Sequence, residues 1–143
     1  MGKKRLVTTE SKDGEGAGKS ASKASRRRTL TFGVLYVRST YNNTALSITD
    51  EKGNVVLHSS SGALGFKGAK KGTPFAAAKV GETLAEKSAE LGLREVSIIV
   101  SGVGSGRESA IRGFISKGIA VKKIKDATPV PFNGPRPPKP RRV

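Results

Sequence analysis

The sequence predicts a single α/β domain whose core is a five-stranded mixed sheet, with element order βββαβαβ and two main helices. Three observations support this prediction. Three β-branched segments separated by short polar turns come first, two segments with helical spacing follow, and a strand-like segment comes after each of those two. With 143 residues, the chain has room for one ordinary domain, which we assign to residues 29–125.

Residues 1–28 precede this domain and are predicted to form a disordered basic arm. They are rich in Gly, Ser, Ala and Lys, and they end in three consecutive arginines at positions 26–28. Few of these side chains are apolar, so the arm has little surface to bury.

The first three strands are predicted at residues 32–40, 45–49 and 55–59, where β-branched and aromatic residues dominate. Asn42 and Asn43 mark the first turn, since Asn tolerates the left-handed backbone conformation. Residues 50–54 form the second turn. Strands joined by such short turns pair antiparallel, so we expect a meander.

Residues 59–72 are predicted to be an irregular loop, because glycines interrupt them repeatedly and lysines charge them. The glycines are Gly62, Gly65, Gly68 and Gly72, and the lysines are Lys67, Lys70 and Lys71. The first helix follows, with Thr73 as its N-cap, Pro74 at its first position and Gly92 as its stop. Its core stripe is Ala77, Val80, Gly81, Leu84, Ser88 and Leu91, whereas Glu82, Glu86 and Glu90 fall on the opposite side.

Residues 96–100 are nearly all apolar, which predicts a fourth strand covered on both faces. A second helix is predicted from about Arg107 to Lys117, with Ser105 and Glu108 forming a capping box. Residues 119–125 are the fifth strand. Crossover helices then make the first, fourth and fifth strands parallel, with the meander to one side.

The charge of the chain favours a polyanionic partner. Lys and Arg number 27 against 11 Asp and Glu, giving a formal net charge of +16. The excess is net +6 in residues 1–28, +7 in residues 29–125 and +3 in residues 126–143. No segment has the amphipathic or spanning pattern of a membrane protein, so nucleic acid is the expected partner.

Catalysis and metal binding are not expected. The chain has no Cys, and its single histidine is His58, so neither a nucleophilic triad nor a thiolate or histidine zinc site can be assembled. A paired-carboxylate metal site of a nuclease-like enzyme stays formally open, but nothing places two acids on adjacent strands facing one way. We therefore predict a protein that is not an enzyme and carries no cofactor.

The glycine-rich turn after the fourth strand is a candidate phosphate site. Gly104, Ser105 and Gly106 lead into a helix, where backbone N–H groups can meet a phosphate, and Arg107 and Arg112 add cationic donors. Two other readings stay open. One is a purely structural tight turn, and the other is a dinucleotide fingerprint, whose third glycine would come one residue too early here.

The last eighteen residues, 126–143, are predicted to be an extended, polyproline-II-like tail that binds an anionic surface. They hold six of the seven prolines, and proline cannot donate to a helix or sheet. The tail's cations are Arg136, Lys139, Arg141 and Arg142, against the single acid Asp126. The alternative is a disordered terminus that only aids solubility.

Several of these segments together closely resemble the family of the eleventh protein of the ribosomal small subunit. The resemblance covers residues 32–143 in order, and it is closest in residues 41–50, 65–68, 71–77, 104–112 and 126–143. Phe132 and Pro135 depart from the family, which usually has His and Cys at these two places, so contacts there are not carried over.

The resemblance implies a mixed α/β protein on the platform of the small subunit, where it bridges several helices of small-subunit ribosomal RNA (rRNA) and helps form the Shine–Dalgarno cleft. Implied partners are small-subunit proteins seven and eighteen, initiation factor three and messenger RNA. The implied location is the cytoplasmic ribosome, with an organellar ribosome left open. The expected RNA contacts, drawn from the resemblance and the patterns above, are Asn42, Asn43, Lys67, Lys70, Lys71, Gly104, Ser105, Gly106, Arg107, Arg112, Asn133, Arg136, Lys139, Arg141 and Arg142.

The alternative function is a free-standing single-strand-binding or chaperone-like RNA protein. Such proteins present several stacking aromatic rings on a sheet face. This chain has five Phe and two Tyr in all, and some of them are needed for the core.

Overall fold

The structure is a computed structural model that describes residues 29–140. Its strands are β1 (Phe32–Ser39), β2 (Thr44–Thr49), β3 (Val55–Ser60), β4 (Glu95–Ser101) and β5 (Ala120–Asp126). Its helices are α1 (Pro74–Glu90) and α2 (Gly106–Ile115). The predicted single α/β domain with element order βββαβαβ is confirmed, whereas the predicted disorder of residues 1–28 lies outside the described residues.

The five strands form one mixed sheet in the order β3-β2-β1-β4-β5. β1 pairs antiparallel with β2, and β2 with β3, which confirms the meander. β1 pairs parallel with β4, and β4 with β5, as the two crossovers require. Because both crossovers run in the same direction across the sheet, their usual right-handedness places α1 and α2 on the same face.

The expectation that β4 is covered on both faces is wrong. Val96, Ile98 and Val100 are buried, but Ser97 and Ile99 between them are only half-buried, since no layer covers the second face among the described residues. The continuous apolar run reflects the central position of β4 and not a second helical layer. The core lies between the sheet and the two helices, around Phe114, Leu35, Leu46, Ile48, Leu84 and Ile98.

Helix α1 begins as predicted. The Thr73 side chain accepts a hydrogen bond from the backbone N–H of Ala76, and Pro74 occupies the first turn. Gly92 follows the last turn with φ +82°, a left-handed value that favours glycine. Most of the predicted stripe is buried, although Leu91 is only half-buried.

Three local predictions are wrong. The loop after β3 is not wholly irregular, because Gly68–Gly72 form a short 3₁₀ helix. Helix α2 starts and ends earlier than predicted, at Gly106 and Ile115. The capping box is absent, since Ser105 has helical backbone angles (φ −66°, ψ −14°) instead of the extended ones that an N-cap needs, and its side chain makes no cap bond.

Candidate nucleic-acid interface

The topology gathers the candidate binding segments at one end of the sheet. β1, β3, β4 and β5 are mutually parallel, so they all finish at this end, where α1 and α2 both begin. We call this region the loop end, and it comprises residues 40–43, 61–73 and 102–106 and the start of the tail. The positive ends of two helix dipoles therefore point at the same surface, which favours a negatively charged partner.

The turn between β1 and β2 is held by its own backbone and one threonine. The Thr40 hydroxyl donates to the Asn43 carbonyl over 3.0 Å and accepts from the Asn43 N–H over 3.1 Å. Tyr41 and Asn42 are exposed beside it. Among residues 29–140, Asn43 Oδ1 is the one buried side-chain oxygen or nitrogen without a hydrogen-bond partner. A donor supplied by a binding partner would offset the cost of burying this acceptor.

The lysine loop, residues 61–73, is fixed at both ends, one to the first residue of β2 and the other to the β1–β2 turn. Ser61 is buried and its N–H donates to the Thr44 carbonyl over 3.0 Å. Gly72 lies against the turn so closely that a Cβ at this position would overlap the Tyr41 carbonyl oxygen. Because both ends of the loop are fixed, the positions from which its lysines extend are defined.

The lysines of this loop point away from the core. Lys67 and Lys70 are exposed and Lys71 is half-buried, and no carboxylate within residues 29–140 forms a salt bridge with any of them. Phe66, inside the loop, packs edge-on against Phe75 with ring centroids 6.2 Å apart. The lysine ammonium groups are therefore available to an anion, whereas the Phe66 ring is used within the protein.

The glycine-rich turn after β4 is explained first by close packing. A Cβ at Gly102 would overlap the Ser39 carbonyl, one at Gly104 the Thr40 carbonyl, and one at Gly106 the side chains of Thr44 and Ala77. One of the amides expected to meet phosphate is also used internally, since the Gly104 N–H donates to Ser39 O (3.1 Å). The N–H of the neighbouring Gly102 donates to Thr128 Oγ1 (3.3 Å).

What this turn can still offer a partner is therefore limited to a small exposed part. Gly104 and Gly106 are buried, whereas Ser105 is exposed. The Ser105 hydroxyl donates to the Gly72 carbonyl over 2.9 Å, which ties the glycine-rich turn to the lysine loop. The predicted RNA contact at residues 104–106 stays a prediction, and it depends on the helix start and the exposed Ser105.

Arg107 is engaged inside the protein, which sequence reasoning missed. One guanidinium nitrogen donates to the Gly102 carbonyl over 2.6 Å, and another forms an ion pair with Asp126. Asp126 also accepts from the hydroxyl and the N–H of Thr128 (2.6 and 2.9 Å). These bonds lower the pKa of the Asp126 carboxyl from 3.8 to about 2, with the Thr128 hydroxyl as the largest cause and Arg107 as the second. Arg107 therefore anchors the start of the tail.

A signal for this cluster was present in the sequence. Because β4 and β5 are parallel, residues that follow β4 meet residues that end β5, and Asp followed two positions later by Thr is a common local turn. Arg112, the second predicted cation of α2, is different. It pairs with Glu108 over 3.2 Å, and since both side chains are 81% exposed, an anionic partner can readily displace that pair.

The tail leaves the domain from this cluster. Ala127 N–H donates to the Val100 carbonyl over 2.8 Å, and beyond it residues 129–140 are exposed and form neither helix nor strand. Asn133 has φ +56°, a left-handed value that is unusual for a residue other than glycine. Arg136 and Lys139 are exposed, and Phe132 is 97% exposed. Arg141 and Arg142 lie outside the described residues, and the polyproline II conformation stays a prediction.

The acids of the domain are either remote from the loop end or paired with a base. Asp50 and Glu51 lie in the β2–β3 turn at the opposite end of the sheet. On α1, Glu82 pairs with Lys79 and Glu86 with Lys117, each at 2.8 Å. The two acids near the loop end are Glu108 and Asp126, and both are in ion pairs. The lysines of the loop end therefore set the sign of its field.

Two further findings bear on the class of site. No helix within the described part of the chain has the length and apolar character to cross a bilayer. Within residues 29–140, there is also no group of three or more His, Asp or Glu side chains that could hold a metal ion.

Comparison with known proteins identifies the family. The family model described as "Ribosomal protein S11" matches residues 33–142. The chain belongs to the ribosomal protein S11 family. It is 52% identical over 128 residues to a protein of Solibacter usitatus (strain Ellin6076) named small ribosomal subunit protein uS11, and the match covers 89% of this chain and 95% of that relative.

Membership of the S11 family confirms the resemblance and the general function inferred from the sequence. A ribosomal protein is part of a ribonucleoprotein, binds rRNA beside other ribosomal proteins and serves translation. The S11 family is structural and is not known for enzymatic activity. The individual RNA contacts predicted for the loop end and the tail stay predictions.

Proposed function

We propose that this protein is a structural constituent of the small ribosomal subunit and that it binds small-subunit rRNA through the loop end and the tail. The name of the Solibacter relative, a small-subunit protein, supports the choice of subunit. The observation that carries the proposal is the joining of three separate chain segments at the end where both helices begin, with lysines that have no acidic partner there.

The chemistry of the loop end suits phosphates better than bases. Lys67, Lys70 and Lys71 are flexible point charges beside close-packed backbone, which is the combination used for positioning contacts in protein–RNA complexes. Ser105, Arg112 and the two helix starts add donors and positive potential around them. In this arrangement Asn42 and Asn43 approach the same RNA strand, and the unpartnered Oδ1 of Asn43 accepts a hydrogen bond from it.

Arg107 has an indirect role in this proposal. It holds Asp126 and Gly102, so it fixes the direction in which the tail leaves the domain. Asn133, Arg136, Lys139, Arg141 and Arg142 then contact phosphates farther away. Because the loop end and the tail are separate cationic features, one molecule can bridge several rRNA helices, with residues 29–125 as the folded part and residues 126–143 as the extension.

From the family resemblance, we further propose that the protein lies on the platform, beside the Shine–Dalgarno cleft and the path of messenger RNA. In this proposal its neighbours are small-subunit proteins seven and eighteen, and initiation factor three is a further partner. The chemistry at the loop end suits such a location, since several phosphate backbones converge there and need counter-charge.

Sedimentation tests this proposal against a free-standing RNA-binding protein. The full chain should co-migrate with small subunits on a sucrose gradient, and it should remain with them after a wash in high salt that strips loosely bound proteins. A pool of free protein comparable in amount to the ribosome-bound pool would contradict a structural role and favour the chaperone-like alternative.

A further inference from the structure

The face of the sheet opposite the helices is open and carries an ordered set of polar and aromatic side chains. Cross-strand pairing aligns one row over all five strands, in the order His58, Ser47, Tyr36, Ile99 and Lys125. Tyr36, at the centre of this row, is 42% exposed. A depression of about 480 Å³ lies beside it, lined in part by Arg38, His58 and Ser101.

One edge of this face is strongly basic because β5 is irregular. Ile124 lines a groove beside α2, so Lys123 and Lys125 on either side of it face the open side of the sheet. A register shift opposite Val96 and Ser97 leaves Lys122 as an additional residue, and its Nζ lies 5.3 Å from the Phe32 ring centroid. The bulge therefore places three lysines along one edge of the open face.

The charges of this face are not neutralised within the described part of the chain. No carboxylate there forms a salt bridge with Arg38 or with any of the three β5 lysines. On the open side of the sheet, the nearest acid by register is Glu95, which pairs with Phe32 at the far end of β4. Asp126, next to Lys125, pairs with the buried Val100 and so belongs to the other side. The face is thus an aromatic centre flanked by cations, and its complement is an anion with a flat apolar part.

We propose that the open sheet face binds a single-stranded segment of RNA. In this proposal one base stacks on Tyr36 while Arg38 and the lysines of β5 contact the flanking phosphates. The proposal rests on the RNA-binding function proposed above, but it concerns a second surface, distinct from the loop end and the tail. A single strand is favoured over a duplex because stacking on Tyr36 needs an unpaired base. The volume of the depression, about 480 Å³, is within the range of small-ligand sites.

The two tyrosines allow each surface to be observed separately. The chain has no Trp and two Tyr, one on the sheet face and the other, Tyr41, 79% exposed at the loop end. In the full chain carrying Tyr41→Phe, tyrosine emission reports the sheet face alone, and in the Tyr36→Phe chain it reports the loop end alone. The probe is a mixed-sequence RNA decamer, offered single-stranded and as a duplex.

We expect the single-stranded decamer to quench Tyr36 emission by about half or more at saturation, and the duplex to leave it nearly unchanged. Tyr36→Ala should weaken binding of the single strand roughly five-fold or more, since stacking of one base on an aromatic ring is worth about 1–3 kcal/mol. Lys123→Ala with Lys125→Ala should also weaken it. The matched control Lys52→Ala with Lys87→Ala removes the same charge from exposed positions off this face and should have a smaller effect.

The possible failures are distinguishable. If the decamer binds and quenches Tyr41 but not Tyr36, the sheet-face proposal is overturned while the RNA-binding function stands. If the decamer does not bind the full chain at all, both proposals fail. Equal quenching of Tyr36 by duplex and single strand would exclude stacking. In assembled ribosomes, ultraviolet cross-linking should join the Tyr36 peptide to a nucleotide, and a cross-link from Lys125 to another protein would overturn the proposal.

Discussion

Gly72 is a residue whose importance comes from packing and not from charge. It lies in the lysine loop, packed against the β1–β2 turn, and its carbonyl accepts a hydrogen bond from the Ser105 hydroxyl. We expect Gly72→Ala to lower the free energy of unfolding by about 1–3 kcal/mol, because the new Cβ would overlap the Tyr41 carbonyl and force backbone to move. Denaturant unfolding of both proteins measures the difference.

Gly62→Ala is the matched control in the same loop. A Cβ at Gly62 would have its nearest neighbour, Lys71 Cδ, at 3.7 Å, which is ordinary contact. Its free energy of unfolding should therefore change by no more than about 0.5 kcal/mol. Equal effects at the two positions would mean that close packing at Gly72 does not hold the lysine loop.

We expect Asp126 to stabilise the fold at neutral pH and to lose this effect in acid. The pKa of its carboxyl is about 2 in the folded protein and near 4 in the unfolded chain. The stabilisation is therefore fully present above about pH 4 and is lost as the pH falls through 2. The stability difference between the native protein and Asp126→Asn should shrink over this range in denaturant titrations at successive pH values.

Thr128→Val serves as the companion variant, because the Thr128 hydroxyl is the largest single cause of the lowered pKa. It should weaken the same pH dependence without removing the carboxyl. If the difference in free energy of unfolding between the native protein and Asp126→Asn stays constant from pH 5 to pH 2, the Arg107–Asp126–Thr128 cluster is not formed in solution.

At the scale of elements, the sequence predicts the order of the elements along the chain, the antiparallel meander, the parallel direction of the first, fourth and fifth strands, and the start of α1. It succeeds there because β-branching, turn residues and caps act locally. It misjudges β4, since an apolar run shows that a strand is central but not how many layers cover it. It also misreads Ser105, because the hydroxyl bonds to Gly72, thirty-three positions away in the chain, and local pattern does not report such a contact.

The tail is an element that should matter for assembly and little for the fold. Residues 129–140 are exposed, so deleting residues 135–143 should change the free energy of unfolding by no more than about 1 kcal/mol. Incorporation into reconstituted small subunits should fall strongly, because four cations on a stiff segment are lost together. Unfolding and incorporation are measured on the same preparation.

A charge-neutral tail separates the contribution of charge from that of length. Arg136, Lys139, Arg141 and Arg142 are replaced together by Gln, so the prolines remain. If charge dominates, this variant should be incorporated about as poorly as the truncated one. Normal incorporation of the truncated protein would show that the tail is only a solvated end.

At the scale of the whole molecule, the distribution of charge carries the functional argument. The net charge of +16 predicts a polyanionic partner but not which surface meets it. We propose that the loop end is this surface, because the parallel arrangement of β1, β3, β4 and β5 brings the β1–β2 turn, the lysine loop and the glycine-rich turn together at one end and leaves Asp50 and Glu51 at the other. Among the predicted cations in residues 29–140, Arg107 is held by Gly102 and Asp126, a contact set by sheet topology.

The most direct test of the central claim is the salt dependence of binding to small-subunit rRNA. Lys70→Ala with Lys71→Ala removes two cations from the loop end, and Lys52→Ala with Lys87→Ala removes two exposed cations elsewhere. If the loop end neutralises phosphates, the first pair should reduce the slope of log affinity against log salt by up to about 2, and the second should leave the slope nearly unchanged. An unchanged slope for the first pair, or equal reductions for both, would contradict the assignment of the loop end as the RNA interface.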